Sequence, residues 1–360
     1  MNKRSRTTSG SRGFDPAPRA DGRRPAGRFG RGAKAVASIA AAALLIGCAT
    51  RGGSSEASNT TMASQPDRAA ALVSSAESAI RAGDKQQAIA ELTRAIEINP
   101  TLTKAHMTLA DVHRSEGDFA SAESSYRRAA ELEPRNFDAQ YYDGLMLHLL
   151  NRLSEAVRAY LRALSIRPND FQANLRLAGA YYQLDELPQA LEYSQRSTKL
   201  DPRSGEARYQ LGAVYAAMDD HAAAVREYQQ ATEAMELTPE LLLNLAESLG
   251  RVEKFTEMVN TLQEAIRRQP TAAAWERLGF AHWRQEHYEQ AHTDFEEALR
   301  LDPDYFPALN GMGVSWLRRW RETDEQDSRA RDEGIAYLRR SLLVKRDQPK
   351  VLELLTRYGN

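Results

Sequence analysis

Cys48 carries the one thiol in 360 residues, so this chain can form no internal disulfide and no cysteine-based metal site. It stands just after residues 35–46, an apolar run interrupted only by Ser38. Three of the seven histidines, His282, His287 and His292, fall five residues apart. That spacing puts them on no common helical face, so packing or exposure is expected of them rather than metal ligation. No glycine-rich phosphate loop, His-Glu-x-x-His or Gly-x-Ser-x-Gly occurs in a usable context. Carboxylates are plentiful, but none forms a pair that the sequence marks out. No catalytic residue, metal ligand or cofactor site is expected. What remains is the thiol at the end of an apolar run, together with aromatic, arginine and amide side chains of the kind that dominate binding interfaces.

Internal repeats position those binding side chains. Units begun at residues 69, 103, 137, 171, 205, 239, 272 and 306 align with a period near 34. Unit position 8 is always small: Ala76, Ala110, Gly144, Ala178, Gly212, Ala246, Gly279 and Gly313. Position 27 reads Ala95, Ala129, Ala163, Ser197, Ala231, Ala265, Ala298 and, beyond an insertion, Ser341. Position 20 is small except for Met258. Large residues recur between them, with Leu177, Leu211, Leu245 and Leu278 at position 7 and Tyr126, Tyr160, Tyr228 and Phe295 at position 24. Proline closes six units (Pro100, Pro134, Pro168, Pro202, Pro270 and Pro303), where its missing N–H ends a helix.

This pattern resembles the tetratricopeptide repeat (TPR) family over residues 68–347. The resemblance implies an all-α, right-handed superhelical solenoid of antiparallel helix pairs, about eight units plus a capping helix in 348–360. Such pairs cannot bury their apolar faces alone and are stable only when stacked. Two departures stand out. Unit 5 ends in Glu236 rather than proline and unit 6 carries Met258, so that junction is expected to be looser or bent. The charged stretch 318–333 in unit 8 is expected to lengthen a turn or extend the first helix.

In TPR proteins the first helix of each pair lines a concave groove with positions 2, 5, 6, 9, 12 and 13. By that resemblance the partner-binding residues here are Tyr141, Tyr142 and His148, Arg176 and Tyr182, Tyr209 and Gln210, Asn244, and Arg277, Phe280, Trp283 and Arg284. The lysine-containing clamp with which some family members hold a C-terminal carboxylate is not reproduced. Position 5 reads Val73, Met107, Tyr141, Leu175, Tyr209, Leu243, Glu276 and Asn310. A protein or peptide ligand with apolar anchors, extended or an amphipathic helix, suits the groove better.

Ahead of the repeats, ten Lys/Arg and two Asp in residues 1–34 precede the apolar run, which is too short to span a bilayer as a helix. That layout is the one of an export signal. Leu45-Ile46-Gly47-Cys48 resembles the bacterial lipobox, whose cysteine is lipidated and becomes the new N-terminus. The resemblance implies a signal in 1–47, a lipidated Cys48 that attaches the chain to a membrane, and a flexible tether in 48–67. Such a tether reaches about 20–25 Å. Ala49 lacks the aspartate that retains lipoproteins at the inner membrane, which implies a cell-envelope location on the periplasmic face of the outer membrane. Removing residues 1–47 lowers basic residues from 48 to 38 and acids from 49 to 47, shifting the net charge from −1 to −9. That balance argues against nucleic acid as a partner.

The expectation is therefore a non-catalytic, membrane-anchored scaffold that recruits or assembles envelope proteins. In layout it is similar to TPR lipoproteins of pilus, secretion, polysaccharide-export or cell-wall machinery. The alternative is a structural spacer or multimerisation element without a groove ligand. The sequence leaves the oligomeric state open.

Overall fold

The computed structural model describes residues 64–359, so Cys48, the apolar run and most of the expected tether lie outside the described residues. Among the described residues every regular element is a helix, in eight pairs and a final single helix. The pairs are α1 (Gln65–Ala82) with α2 (Lys85–Ile98), α3 (Thr103–Glu116) with α4 (Phe119–Leu132), and α5 (Phe137–Leu149) with α6 (Leu153–Ile166). They continue with α7 (Phe171–Gln183) and α8 (Leu187–Leu200), α9 (Gly205–Ala217) and α10 (His221–Ala234), and α11 (Pro239–Arg251) and α12 (Phe255–Arg268). The last are α13 (Ala272–Arg284) with α14 (Tyr288–Leu301), α15 (Phe306–Glu322) with α16 (Ser328–Val344), and the single α17 (Pro349–Tyr358). Each helix packs on its sequence neighbours, so the expected stack of helix pairs is the observed architecture.

Local chemistry sets the ends of these helices. Asp84, Asp118, Asn136, Asp170, Ser204, Asp220, Thr238 and Thr271 each accept a bond from the backbone N–H three residues on, satisfying a donor that the first turn leaves free. Within each of the first seven pairs the chain reverses through one left-handed residue, and within the last through two, Asp324 and Glu325. Gly83 and Gly117 take that conformation freely, while Glu253 and Glu286 hold it at φ 61° and 63°, at a cost of about 1–2 kcal/mol each. Between pairs, the residue before each closing proline is extended, from Asn99 (ψ 88°) to Gln269 (ψ 101°), because proline bars it from the helical region.

Matched sizes close several of the pairs. The rings of Tyr160, Tyr228 and Phe295 are buried against Gly144, Gly212 and Gly279, where an added Cβ would stand 2.7–2.8 Å from a ring carbon. Leu92 and Leu262, smaller than a ring, face Ala76 and Ala246 at the same positions. Met258 follows the same rule. Its sulfur would lie 3.0 Å from a Cβ at Gly250, so a glycine on α11 admits the larger side chain on α12.

The expected loosening around repeats 5 and 6 does not occur. Met235 is extended (φ −142°, ψ 169°) and lays its side chain over the start of α9, within 2.6 Å of where a Cβ of Gly205 would be. One apolar cluster runs from Ala224 and Tyr228 on α10 through Leu241 and Leu245 on α11 to Leu262 and Leu278. The charged insertion is divided between both helices and their turn. α15 and α16 have 17 residues each, against 13 and 14 in α13 and α14, joined across Thr323–Asp327. α17 packs Val351 against Leu317, Trp320 and Leu338, with Leu354, Leu355 and Tyr358 around it. No helix among the described residues is long and apolar enough to cross a membrane.

The contact between the second and third pairs buries charge. Asp143 on α5 is 2% exposed and Glu123 on α4 is 5% exposed. Arg162 reaches Asp143 at 3.3 Å, while Arg127 and Arg152 reach Glu123 at 3.6 and 3.4 Å. Burial, with Glu123 adding to it, pushes the Asp143 carboxyl up to about 6 despite these arginines. Its ionised form is disfavoured in the folded chain, so stability falls as pH rises from the unfolded value near 4 through about 6. Asp143→Asn should be more stable than the natural chain above pH 7, by about 1–3 kcal/mol. Urea unfolding as a function of pH tests this, and the advantage should vanish near pH 4.

Candidate functional site

The first helices of successive pairs lie side by side, and α5, α7, α9 and α11 enclose a cavity of about 580 Å³. Six of the residues expected from sequence meet there: His148, Arg176, Tyr182, Tyr209, Gln210 and Asn244. Tyr182 is 39% exposed and offers a ring to the opening. Gly179, Ala213, Ala216 and Ala217 line the cavity with small side chains. A Cβ at Gly179 would come within 3.2 Å of Gln210 Nε2 and 3.8 Å of His148 Cε1, so this glycine lets the two polar groups approach across α7.

A ladder of polar bonds fixes the lining. Gln210 Nε2 donates to the Leu175 carbonyl at 3.1 Å, and Asn244 Nδ2 donates to Tyr209 Oη at 3.0 Å. Arg176 lies beside the Tyr141 phenol; burial raises that phenol's pKa and the guanidinium draws it partway back. Each rung joins position 6 of one unit to position 5 of the unit before. The charges also pair off, Arg176 with Glu206 at 3.6 Å and Arg277 with Glu247 at 3.2 Å. Burial lowers the pKa of His148 and of His221, the latter with Arg251 adding to the effect, which favours neutral imidazoles at pH 7. The result is a nearly neutral pocket with aromatic walls, amide donors and a floor of small residues. It is suited to holding a side chain and adjacent backbone by non-covalent contacts.

The other expected site residues stand elsewhere. Tyr141 and Tyr142 lie at 5.1 Å from each other, Tyr141 stacked on Phe137 and Tyr142 on Tyr126 with Arg114 over its ring. On α13, Arg277, Phe280, Trp283 and Arg284 do not line the cavity. Arg284 covers the Phe255 ring at 4.6 Å, lies 5.9 Å from that of Phe280 and pairs with Glu253 at 3.0 Å. Trp283 meets Tyr288 edge-on at 5.0 Å, and Arg318 covers the same tyrosine from the next unit. Arginine at position 13 thus clasps the aromatic residue that opens the second helix of the unit before. The contact lies in the stack between units, where the groove offsets alone could not place it. Of the remaining lining residues, Leu175, Gly179, Gln183, Glu206, Ala213, Ala216, Ala217 and Glu247 sit at the same groove offsets and were legible there, whereas Ser248 on α11 and His221 and Tyr228 on α10 lie outside those offsets. Selecting rings, charges and a few amides passed over the small side chains that make the space.

The three histidines separate into two local pairings. His282 Nδ1 lies 2.6 Å from Asp294, and the turn after α13 brings the His287 ring within 6.1 Å of it, although no single helix carries both. His292 bonds Ser315 at 3.0 Å. No group of three His, Cys, Asp or Glu residues among the described residues could hold a metal ion.

Arg284→Ala should cost about 1–2 kcal/mol of stability by removing a partly desolvated cation–π contact and an ion pair. Arg284→Lys should restore less than half, since an ammonium cannot stack as a guanidinium does. Thermal unfolding of both variants tests this, and ligand affinity below the transition should be unchanged.

Comparison with known proteins accords with this geometry. Models described as tetratricopeptide repeat match residues 69–102, 107–171, 205–234 and 272–305. Human tetratricopeptide repeat protein 13 is 32% identical over 81 residues, 22% of this chain, and the match spans only 9% of that protein's length. Among solved structures, the Cut9-Hcn1 hetero-tetramer of the APC/C superposes with a TM-score of 0.50 at 18% identity, covering 80% of this chain and 55% of that one. YrrB, described as a TPR protein with an unusual peptide-binding site, scores 0.47 at 18% identity over 56% of this chain and 99% of its own. PilF of Pseudomonas aeruginosa scores 0.48 at 21% identity, covering 57% of this chain and 94% of its own. The helix pairs within those matched residues are therefore similar to tetratricopeptide repeats.

Proposed function

We propose that this chain is a non-catalytic adaptor that holds a segment of another protein in the cavity between α5 and α11. The observation that carries the reading is the convergence of Tyr182, Tyr209, His148, Gln210 and Asn244, from four separate helices, on one open space of about 580 Å³. A side chain packed between two tyrosines, with amides beside it for the ligand backbone, is the arrangement from which binding hot spots are made. In this reading Cys48 carries the lipid. The tether and repeats then stand on a bacterial envelope membrane, on the periplasmic face of the outer one where two are present. There the adaptor recruits or assembles pilus, secretion, polysaccharide-export or cell-wall proteins. The lack of an aspartate after Cys48, where Ala49 stands, supports this placement.

Tyr182→Ala together with Tyr209→Ala should weaken the partner recovered from native membranes by at least about thirtyfold, the cost of losing a hot spot. Circular dichroism should show the helical content retained; undiminished binding by a folded double variant would refute the cavity. Cys48→Ser should move the protein from the membrane to the soluble fraction, because an acyl chain contributes about 0.8 kcal/mol per buried CH₂. Continued sedimentation with membranes after a carbonate wash would refute the anchor.

A further inference from the structure

We propose that Glu276 receives a cationic group of the bound segment, an ammonium or guanidinium carried by a lysine, an arginine or a free N-terminus. This deepens the adaptor reading and rests on it.

The argument starts from the polar ladder along the concave face. At three successive junctions, position 6 of one unit supports position 5 of the unit before it. Arg176 stands beside Tyr141, Gln210 donates to Leu175, and Asn244 donates to Tyr209. Glu276 occupies position 5 of the seventh unit, and position 6 of the eighth is Gly311, which has no side chain to offer. Nor could a larger residue be placed there, because a Cβ at 311 would lie 2.6 Å from the Phe295 ring. Glu276 is left partly buried on α13 with no hydrogen bond or ion pair. Its neighbour in sequence, Arg277, turns instead to Glu247, a residue of the cavity wall.

Several other charges along this face are matched within the chain. Lys104 pairs with Glu77 at 2.8 Å, Arg114 with Asp111 at 3.0 Å, and Arg176 with Glu206. A second acceptor stands at the equivalent place in the next unit. Asn310, 4% exposed, spends its amide nitrogen on Gln348 at 2.8 Å, while its Oδ1 is buried without a partner. Both acceptors stand at position 5 of consecutive units without a donor from the chain. A carboxylate so placed favours a cation that can donate more than one bond.

The charged and titratable groups facing Glu276 are Arg277 on its own helix, Glu247 from α11 and Tyr305 before α15. Burial pushes the Glu276 carboxyl up to about 7, Glu247 adds to the rise, and Arg277 opposes it. Only the ionised form attracts a cation, so binding should strengthen as pH rises through 7.

The test uses the full chain in detergent and a random peptide library displayed on phage. Selection is run on the natural protein, on Glu276→Gln and on the Tyr182→Ala, Tyr209→Ala double variant. Peptides selected on the natural protein should share one basic position. Replacing that residue by norleucine should cost about tenfold or more in Kd, and Glu276→Gln should bind both peptides alike. Between about pH 6 and 8 the affinity of the basic peptide should rise up to about tenfold, and the rise should be absent in Glu276→Gln. Peptides that need the two tyrosines but share no basic residue, or bind Glu276→Gln equally well, would overturn this inference and leave the cavity standing. Peptides indifferent to the tyrosines, or none selected at all, would overturn both.

Discussion

Close approach of two helices within each pair is the constraint from which the rest of this structure follows. A buried ring or leucine on the second helix occupies the space that a small residue on the first leaves open. At Gly212 under Tyr228 and Gly279 under Phe295 the tolerance is less than one methyl group. Interiors are packed at crystalline density, so such a pair cannot be altered on one side alone. Met258 with Gly250 makes the point from the other direction: the larger residue and the missing side chain lie on facing helices. Because each pair closes in this way, the first helices stand in a regular row, and that row creates a concave surface.

Neighbouring pairs are then held by contacts that also consume the polar and charged groups of that surface. Arginine at position 13 stacks on the aromatic residue opening the preceding second helix, as in Arg284 on Phe255 and Arg318 on Tyr288. At three junctions position 6 supports position 5 of the unit before. These bonds serve register more than stability, since a partly exposed ion pair contributes only about 1 kcal/mol or less. Their consequence for binding is larger. Groups spent on the stack are unavailable to a ligand, and the groups left over define what the groove can recognise. The Tyr182 ring, half exposed at the cavity between α5 and α11, is such a remainder, and Glu276, whose rung is lost at Gly311, is another.

The same reasoning separates two kinds of buried charge. Asp143 and Glu123 share three arginines between adjacent pairs and are closed from solvent, so their effect is on folding. Glu276 stands at a groove offset with no hydrogen bond or ion pair, while Arg277 is paired with Glu247. Buried or half-buried carboxylates are common in stacked helices; what distinguishes one from another is whether the chain supplies the opposing donor.

Much of this was legible in the residues themselves. The period, the small and large positions and the closing prolines each follow from what one helix pair requires locally. Each repeats until the fold class is overdetermined. The family resemblance implied which face of each first helix is concave, and those offsets carry from unit to unit because they depend only on 3.6 residues per turn. The offsets could not show reach. Arg176 and Arg284 both sit at groove offsets, yet one lines the cavity and the other folds back over Phe255. Which occurs depends on whether the preceding unit presents a ring or an open space, about 30 residues away in the chain. Likewise His282 and His287 share no helix face but meet across a turn, and Gly179, which carries no side chain, shapes the cavity through what it lets approach. Local propensity repeated down the chain determined the architecture; the site was decided by side chains meeting across units, and only the tertiary structure brings those together.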